Sequence, residues 1–126
     1  MNLKLSILKD LFTIHRFSPG HEIPEQIYEG QFYSIIKTED ELSIVCNSSV
    51  LKGSENSETD WSCIKVLGPL DFSLTGILAD ISSVLAKADV SIFAISTFDT
   101  DYILVKSKKL PVAEKALLHA GYTFNT

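Results

Sequence analysis

Gly68-Pro69-Leu70-Asp71-Phe72-Ser73-Leu74-Thr75-Gly76-Ile77 joins an apolar run at residues 63–67 to a stretch with helical apolar spacing. At such a junction the first helical N–H groups lie ahead of any intrahelical carbonyl and carry partial positive charge. A carboxylate there gains roughly 0.3–1 kcal/mol beyond its hydrogen bonds. Gly76 admits a ligand to the first turn with no Cβ in the way, and Ser73 and Thr75 add hydroxyls. Asp71 reads as a helix cap, since a second carboxylate beside a bound one is repelled. An ordinary capped helix start accounts for the same residues. A cationic group needs acceptors, and the turn Phe98-Asp99-Thr100-Asp101 offers Asp99 and Asp101, although the same four residues also make a solvated hairpin turn. Asp101 is the stronger candidate because an acid recurs sixty positions earlier, at Glu41. Phe72 and Phe98 are aromatic walls for such a pocket, or plain core.

The elements that must hold these groups follow from periodicity. Leu3, Leu5 and Ile7 alternate with polar residues, Lys9-Asp10 reads as a tight turn, and 11–17 supplies a second strand, so the N-terminus is expected to be a hairpin. Ser18-Pro19-Gly20 breaks it. Pro24 suits the first turn of a short helix over 23–28, with Gly30 just past its end. Strands at 31–37 and 42–46 enclose the polar turn Thr38-Glu39-Asp40-Glu41. From Lys52 to Asp60 every residue is polar or glycine, which marks a linker. Beyond it come a strand at 63–67 and a helix whose apolar residues Leu74, Ile77, Leu78, Ile81, Val84 and Leu85 recur at three and four. Strands at 90–97 and 102–106 form a further hairpin, Pro111 opens a last helix, and Gly121 ends it before a strand at 122–124.

The second half is thus βαββαβ and the first half βαββ. Strand 3–8 is placed against 11–17, at the edge where the first half lacks a strand. The expected class is α+β: two subdomains, each a four-stranded antiparallel sheet with helices on one face, the first degenerate. Their bounds are 1–55 and 61–126, with the polar linker at 52–60.

Composition narrows the function. A net charge of −5 over 126 residues, with scattered lysines, argues against a nucleic-acid partner. No apolar run approaches the roughly 20 residues that span a bilayer, and 1–8 alternates where a signal peptide would be apolar. The expectation is a cytoplasmic protein with no membrane partner. Cys46 and Cys63 lack metal-ligand spacing and sit in strand-like runs, which fits buried reduced thiols. His15, His21 and His119 have no carboxylate or cysteine at ligand spacing, so neither a metal nor a cofactor is expected, and catalysis has no evident base. Each histidine reads as a surface or core-edge residue.

Three segments together carry a family resemblance: Thr38-Glu39-Asp40-Glu41-Leu42-Ser43-Ile44-Val45-Cys46, the run from Leu67 through the glycine-bearing loop to Leu78, and Ile95-Ser96-Thr97-Phe98-Asp99-Thr100-Asp101-Tyr102-Ile103-Leu104-Val105. With the element order, the chain resembles the paired ACT domains that bind amino acids and regulate metabolism. It is similar to the regulatory ACT pairs of aspartokinases and to eukaryotic cytosolic arginine sensors. The resemblance implies a ferredoxin-like sheet in each half. It also implies a non-catalytic sensor that takes a free amino acid or similar zwitterion at the strand-to-helix loop between ACT units. Gly68, Leu70, Asp71, Phe72, Ser73, Leu74, Thr75, Gly76 and Ile77 would hold it, with Phe98, Asp99 and Asp101, while Ile35 and Ile36 lie on the strand that family geometry places opposite. A homodimer and a regulated metabolic enzyme are the implied partners. The alternatives are a ligand-free dimerisation or docking module and a small ferredoxin-like enzyme.

Overall fold

Leu5 lies at the centre of an alternating run, and in the computed structural model that run is strand β1 (Lys4–Ile7), with Leu5 fully buried. The structure describes residues 3–67 and 76–125. β1 is not the hairpin partner of β2 (Phe12–Phe17). It pairs antiparallel with β5 (Ser57–Val66), Leu5 opposite Val66 and Ile7 opposite Ile64, and parallel with β8 (Thr123–Phe124). The expected N-terminal hairpin is thereby corrected. The reason is burial: Leu5 belongs to one core with Ile64, Val66, Ile81, Leu85 and Tyr122. A tight-turn signal at Lys9-Asp10 fixes where the chain bends, but a fully buried leucine, worth about 1.5–3 kcal/mol, selects the strand it pairs with.

Two compact units result, Met1–Lys9 with Ser62–Thr126, and Asp10–Trp61. In the C-terminal unit β5 leads to α1 (Ile77–Lys87), then to the hairpin of β6 (Phe93–Ser96) and β7 (Asp101–Lys106), then to α2 (Leu110–His119) and β8. This is the expected βαββαβ order, in an α+β fold with a sheet and two helices. Pairing runs β6-β7-β5-β1-β8, so the sheet has five strands instead of four because β1 is inserted between β5 and β8. Both helices pack into the core through Ile77, Ile81, Leu85, Ala113 and Leu117. Gly121, at φ 105°, turns the chain from α2 into β8 in a conformation that favours glycine.

In the N-terminal unit β3 (Tyr33–Lys37) and β4 (Leu42–Asn47) form the second expected hairpin, and β4 continues onto β2. Its helix is reduced to one 3-10 element, Glu25–Glu29, whose buried Ile27 packs on Leu42, Ile44 and Cys46. Pro24 precedes it, and Gly30 closes it by donating its N–H to the Ile27 carbonyl at 3.3 Å. Residues 57–60 of the expected linker are strand. Phe12 faces Trp61 but Ile14 faces Glu58, so β5 carries one extra residue there, and Asp60 absorbs it with φ 64°. Polar alternation in Ser57-Glu58-Thr59-Asp60 hides this strand because its side chains pack little. Among the described residues no helix is long and apolar enough to cross a membrane.

Candidate functional site

The strongest local convergence lies at the C-terminal end of β5. Val66 is buried, and its carbonyl accepts a hydrogen bond from the hydroxyl of Thr100, itself only 6% exposed. That bond fastens the β6–β7 turn to the point where the chain leaves the sheet. The turn is also stapled internally: Thr97 N–H donates to the Thr100 carbonyl at 2.8 Å, and Thr97 Oγ1 accepts the Thr100 N–H at 3.2 Å. One residue on, Leu67 N–H donates to the Lys4 carbonyl at 2.9 Å, and Lys4 pairs with Thr123. Tyr122, next to that pair, donates its hydroxyl to Asp80 in the first turn of α1. Burial, then the bond to Asp80 and its negative charge, push the Tyr122 phenol well above its ordinary range, so it stays a donor. The end of β5, the start of α1 and the β6–β7 turn are therefore tied to one end of one sheet.

Gly76 precedes α1 with φ 82°, and its carbonyl accepts the Asp80 N–H at 2.8 Å, the first bond of the helix. The amides of Ile77, Leu78 and Ala79 come before that bond, as helix starts require. The positive φ explains the glycine more directly than ligand approach does, since a Cβ is disfavoured there. Ile77 turns its side chain into the core and is 7% exposed, so only its main chain faces this end. The helix is described from Ile77, three residues after the expected first apolar position at Leu74. Gly68, Leu70, Asp71, Phe72, Ser73, Leu74 and Thr75 lie outside the described residues.

The other candidates fall as follows. Asp101 is half-buried at the start of β7 and accepts the Ser96 hydroxyl at 2.6 Å across the hairpin. Asp99 is exposed in the turn, and Phe98, 80% exposed at its tip, is not core. Ile35 packs beneath Ile27 in the N-terminal unit, whereas its neighbour Ile36 points outward, 52% exposed. Alternation along β3 sends the two to opposite faces, so they cannot share one wall. Val45 and Cys46 are interior, as expected.

Hairpin register also corrects the repeat. Lys37 faces Leu42 and Ser96 faces Asp101, so the equivalent positions are 59 apart. Asp101 then corresponds to Leu42 and Glu41 to Thr100. The recurrence of an acid sixty residues earlier is a coincidence of composition.

Sequence reasoning missed Thr100, the Asp80–Tyr122 pair and the depth of His15. His15 is fully buried; its Nδ1 lies 2.9 Å from Ser54 Oγ and its Nε2 3.1 Å from the Leu51 carbonyl. A carbonyl only accepts, so Nε2 carries the proton and Nδ1 accepts from Ser54. Desolvation holds His15 below its ordinary value, partly opposed by the Leu51 bond. A histidine inside a strand-like run, on one face with Thr13 and Phe17, was the available signal. Burial pushes the thiols of Cys46 and Cys63 up to about 11 and about 12, and both are free.

Known proteins share this architecture. The ACT domain family model matches residues 56–119, and a second model, an N-terminal domain, matches residues 10–51. Subunit 1 of the cytosolic arginine sensor for mTORC1 from Rattus norvegicus is 31% identical over 107 residues, covering 72% of this chain and 32% of its own. The chain thus spans about a third of the length of the curated relatives it matches. A crystal structure of an Agrobacterium tumefaciens protein is 37% identical with a TM-score of 0.90, covering 99% of this chain and 93% of its own. The regulatory subunit of aspartate kinase from Thermus thermophilus, in ligand-free form, has a TM-score of 0.64 at 10% identity over 90% of this chain and 96% of its own, a likeness of fold alone.

Proposed function

The chain belongs to the ACT domain family, and on that premise we propose that it is a non-catalytic cytoplasmic sensor. It binds a free amino acid or a similar small zwitterion where β5 gives way to α1 in the C-terminal unit. The ligand carboxylate takes main-chain amides at the start of α1, and its cationic group takes Asp101, or Asp99 beside it. A metabolic enzyme reads the bound state. The observation that carries this reading is the Thr100–Val66 bond, which fastens the turn bearing Asp99 and Asp101 to the end of β5. The arginine sensor supports the ligand class by its described role.

Differential scanning fluorimetry against the twenty amino acids tests it, because a ligand that binds only the folded form raises the melting temperature by mass action. A selective rise for one chemically related group of amino acids is expected, and its loss in Asp101→Ala. No rise with any of them at millimolar concentration rejects the reading.

A further inference from the structure

The outer surface where α1 meets α2 carries a groove floored by Val84, Val112 and Leu118 and rimmed by Lys87, Lys115 and His119, with no acidic residue in its lining. Val112 is 45% and Leu118 50% exposed, large for residues of their type. The opposite chemistry sits elsewhere on the same chain. Residues 10–61 carry ten acidic and three basic side chains, whereas 1–9 with 62–126 carry six acidic and eight basic. The acidic unit displays Tyr28, 55% exposed, on the 3-10 element Glu25–Glu29, with Glu25 and Glu29 exposed on either side. The ring of Tyr28 lies edge-on to that of Tyr33, with centroids 5.9 Å apart.

We propose that the α1–α2 groove of one molecule receives the Glu25–Glu29 element of a second copy of this chain. Tyr28 packs on Val112 and Leu118, and Glu25 and Glu29 face Lys87 and Lys115. An exposed aromatic seated in an apolar groove supplies the affinity, and the charge pattern supplies orientation and encounter rate. It also sets direction, since basic rim meets basic rim unfavourably and only groove-to-turn docking brings opposite charges together.

Sedimentation velocity on the full chain decides it. Wild type is expected to self-associate at micromolar concentration, less so at high salt. A Lys87→Glu/Lys115→Glu variant and a Glu25→Lys/Glu29→Lys variant should each raise the dissociation constant about tenfold or more. Their equimolar mixture should associate again within about threefold of wild type, because the reversed charges are then complementary. Tyr28→Ala should weaken association while leaving the far-UV circular dichroism spectrum of the folded chain unchanged. All five residues are exposed, so the folded state tolerates these changes. A monomer at high micromolar concentration, association indifferent to both reversals, or failure of the mixture to recover overturns the proposal; indifference with persistent dimers would point to strand-edge pairing.

Discussion

The two hairpins share a frame and spend it differently. In both, a threonine opens the turn: Thr38 Oγ1 accepts the N–H groups of Asp40 and Glu41 at 3.1 Å each, and Thr97 Oγ1 accepts that of Thr100 at 3.2 Å. In both, the main chain closes on the same pair, Thr38 N–H to Glu41 and Thr97 N–H to Thr100. Past the turn they part. Leu42 drops into the core beneath Ile27, while its counterpart Asp101 stays half-buried and takes a hydroxyl from Ser96. Glu41 is partly exposed, while its counterpart Thr100 is buried on the end of β5. An acid at a position whose structural twin is core breaks a local rule, and such breaks concentrate where a site is needed. This is a better reason to single out Asp101 than any recurrence of acids.

Exchanging the two counterparts gives the largest expected effect. Leu42→Asp puts an unpaired carboxylate against Ile27 and Ile44 and should cost on the order of 3–5 kcal/mol by urea denaturation, enough to unfold the N-terminal unit. The reverse change, Asp101→Leu, should alter stability by less than about 1 kcal/mol. Equal costs in the two would end the comparison. Next is Thr100→Val, which leaves the Val66 carbonyl without its hydroxyl donor and should destabilise by about 1–3 kcal/mol. Glu41→Gln at the twin position should stay within about 0.5 kcal/mol.

A pH effect separates the units further. The unfolded chain takes up a proton at His15 near the ordinary value of 6.5, whereas the folded chain resists it. Stability from this group is therefore complete above pH 6.5 and falls as pH drops below it toward the lower folded value. Melting curves from pH 8 to pH 5 should show that decline in wild type and a shallower one in His15→Gln. The smallest effect is chemical. With both thiols pushed up by burial, iodoacetamide at neutral pH should modify native protein far more slowly than unfolded protein. Cys46, covered by a single 3-10 turn, should react before Cys63.

Much of the frame was legible because period and punctuation are local. The two hairpins at 31–47 and 90–106, the spacing of α1 and the Pro111–Gly121 bounds of α2 all appear in the sequence. What stayed hidden depends on partners far along the chain. β1 reads as the arm of a hairpin until Val66 and Thr123 are placed beside it, and polar Ser57–Asp60 reads as linker until β2 supplies its ladder. The same applies at the site. Gly76, Asp99 and Asp101 can be picked out by residue type, but Thr100 gains its role from a carbonyl 34 residues away and Asp80 from a tyrosine 42 residues away. An aromatic such as Phe98 cannot be told from core by type alone.

The central claim is that the amides opening α1 and the acids closing the β6–β7 turn share one amino acid. Titrating the isotope-labelled protein with the amino acid that stabilises it most, and following backbone amide shifts, tests this most directly. The account predicts saturable shifts concentrated at residues 76–79 and 98–101, lost in Asp101→Ala. Saturable shifts centred elsewhere, with those residues unmoved, would contradict it.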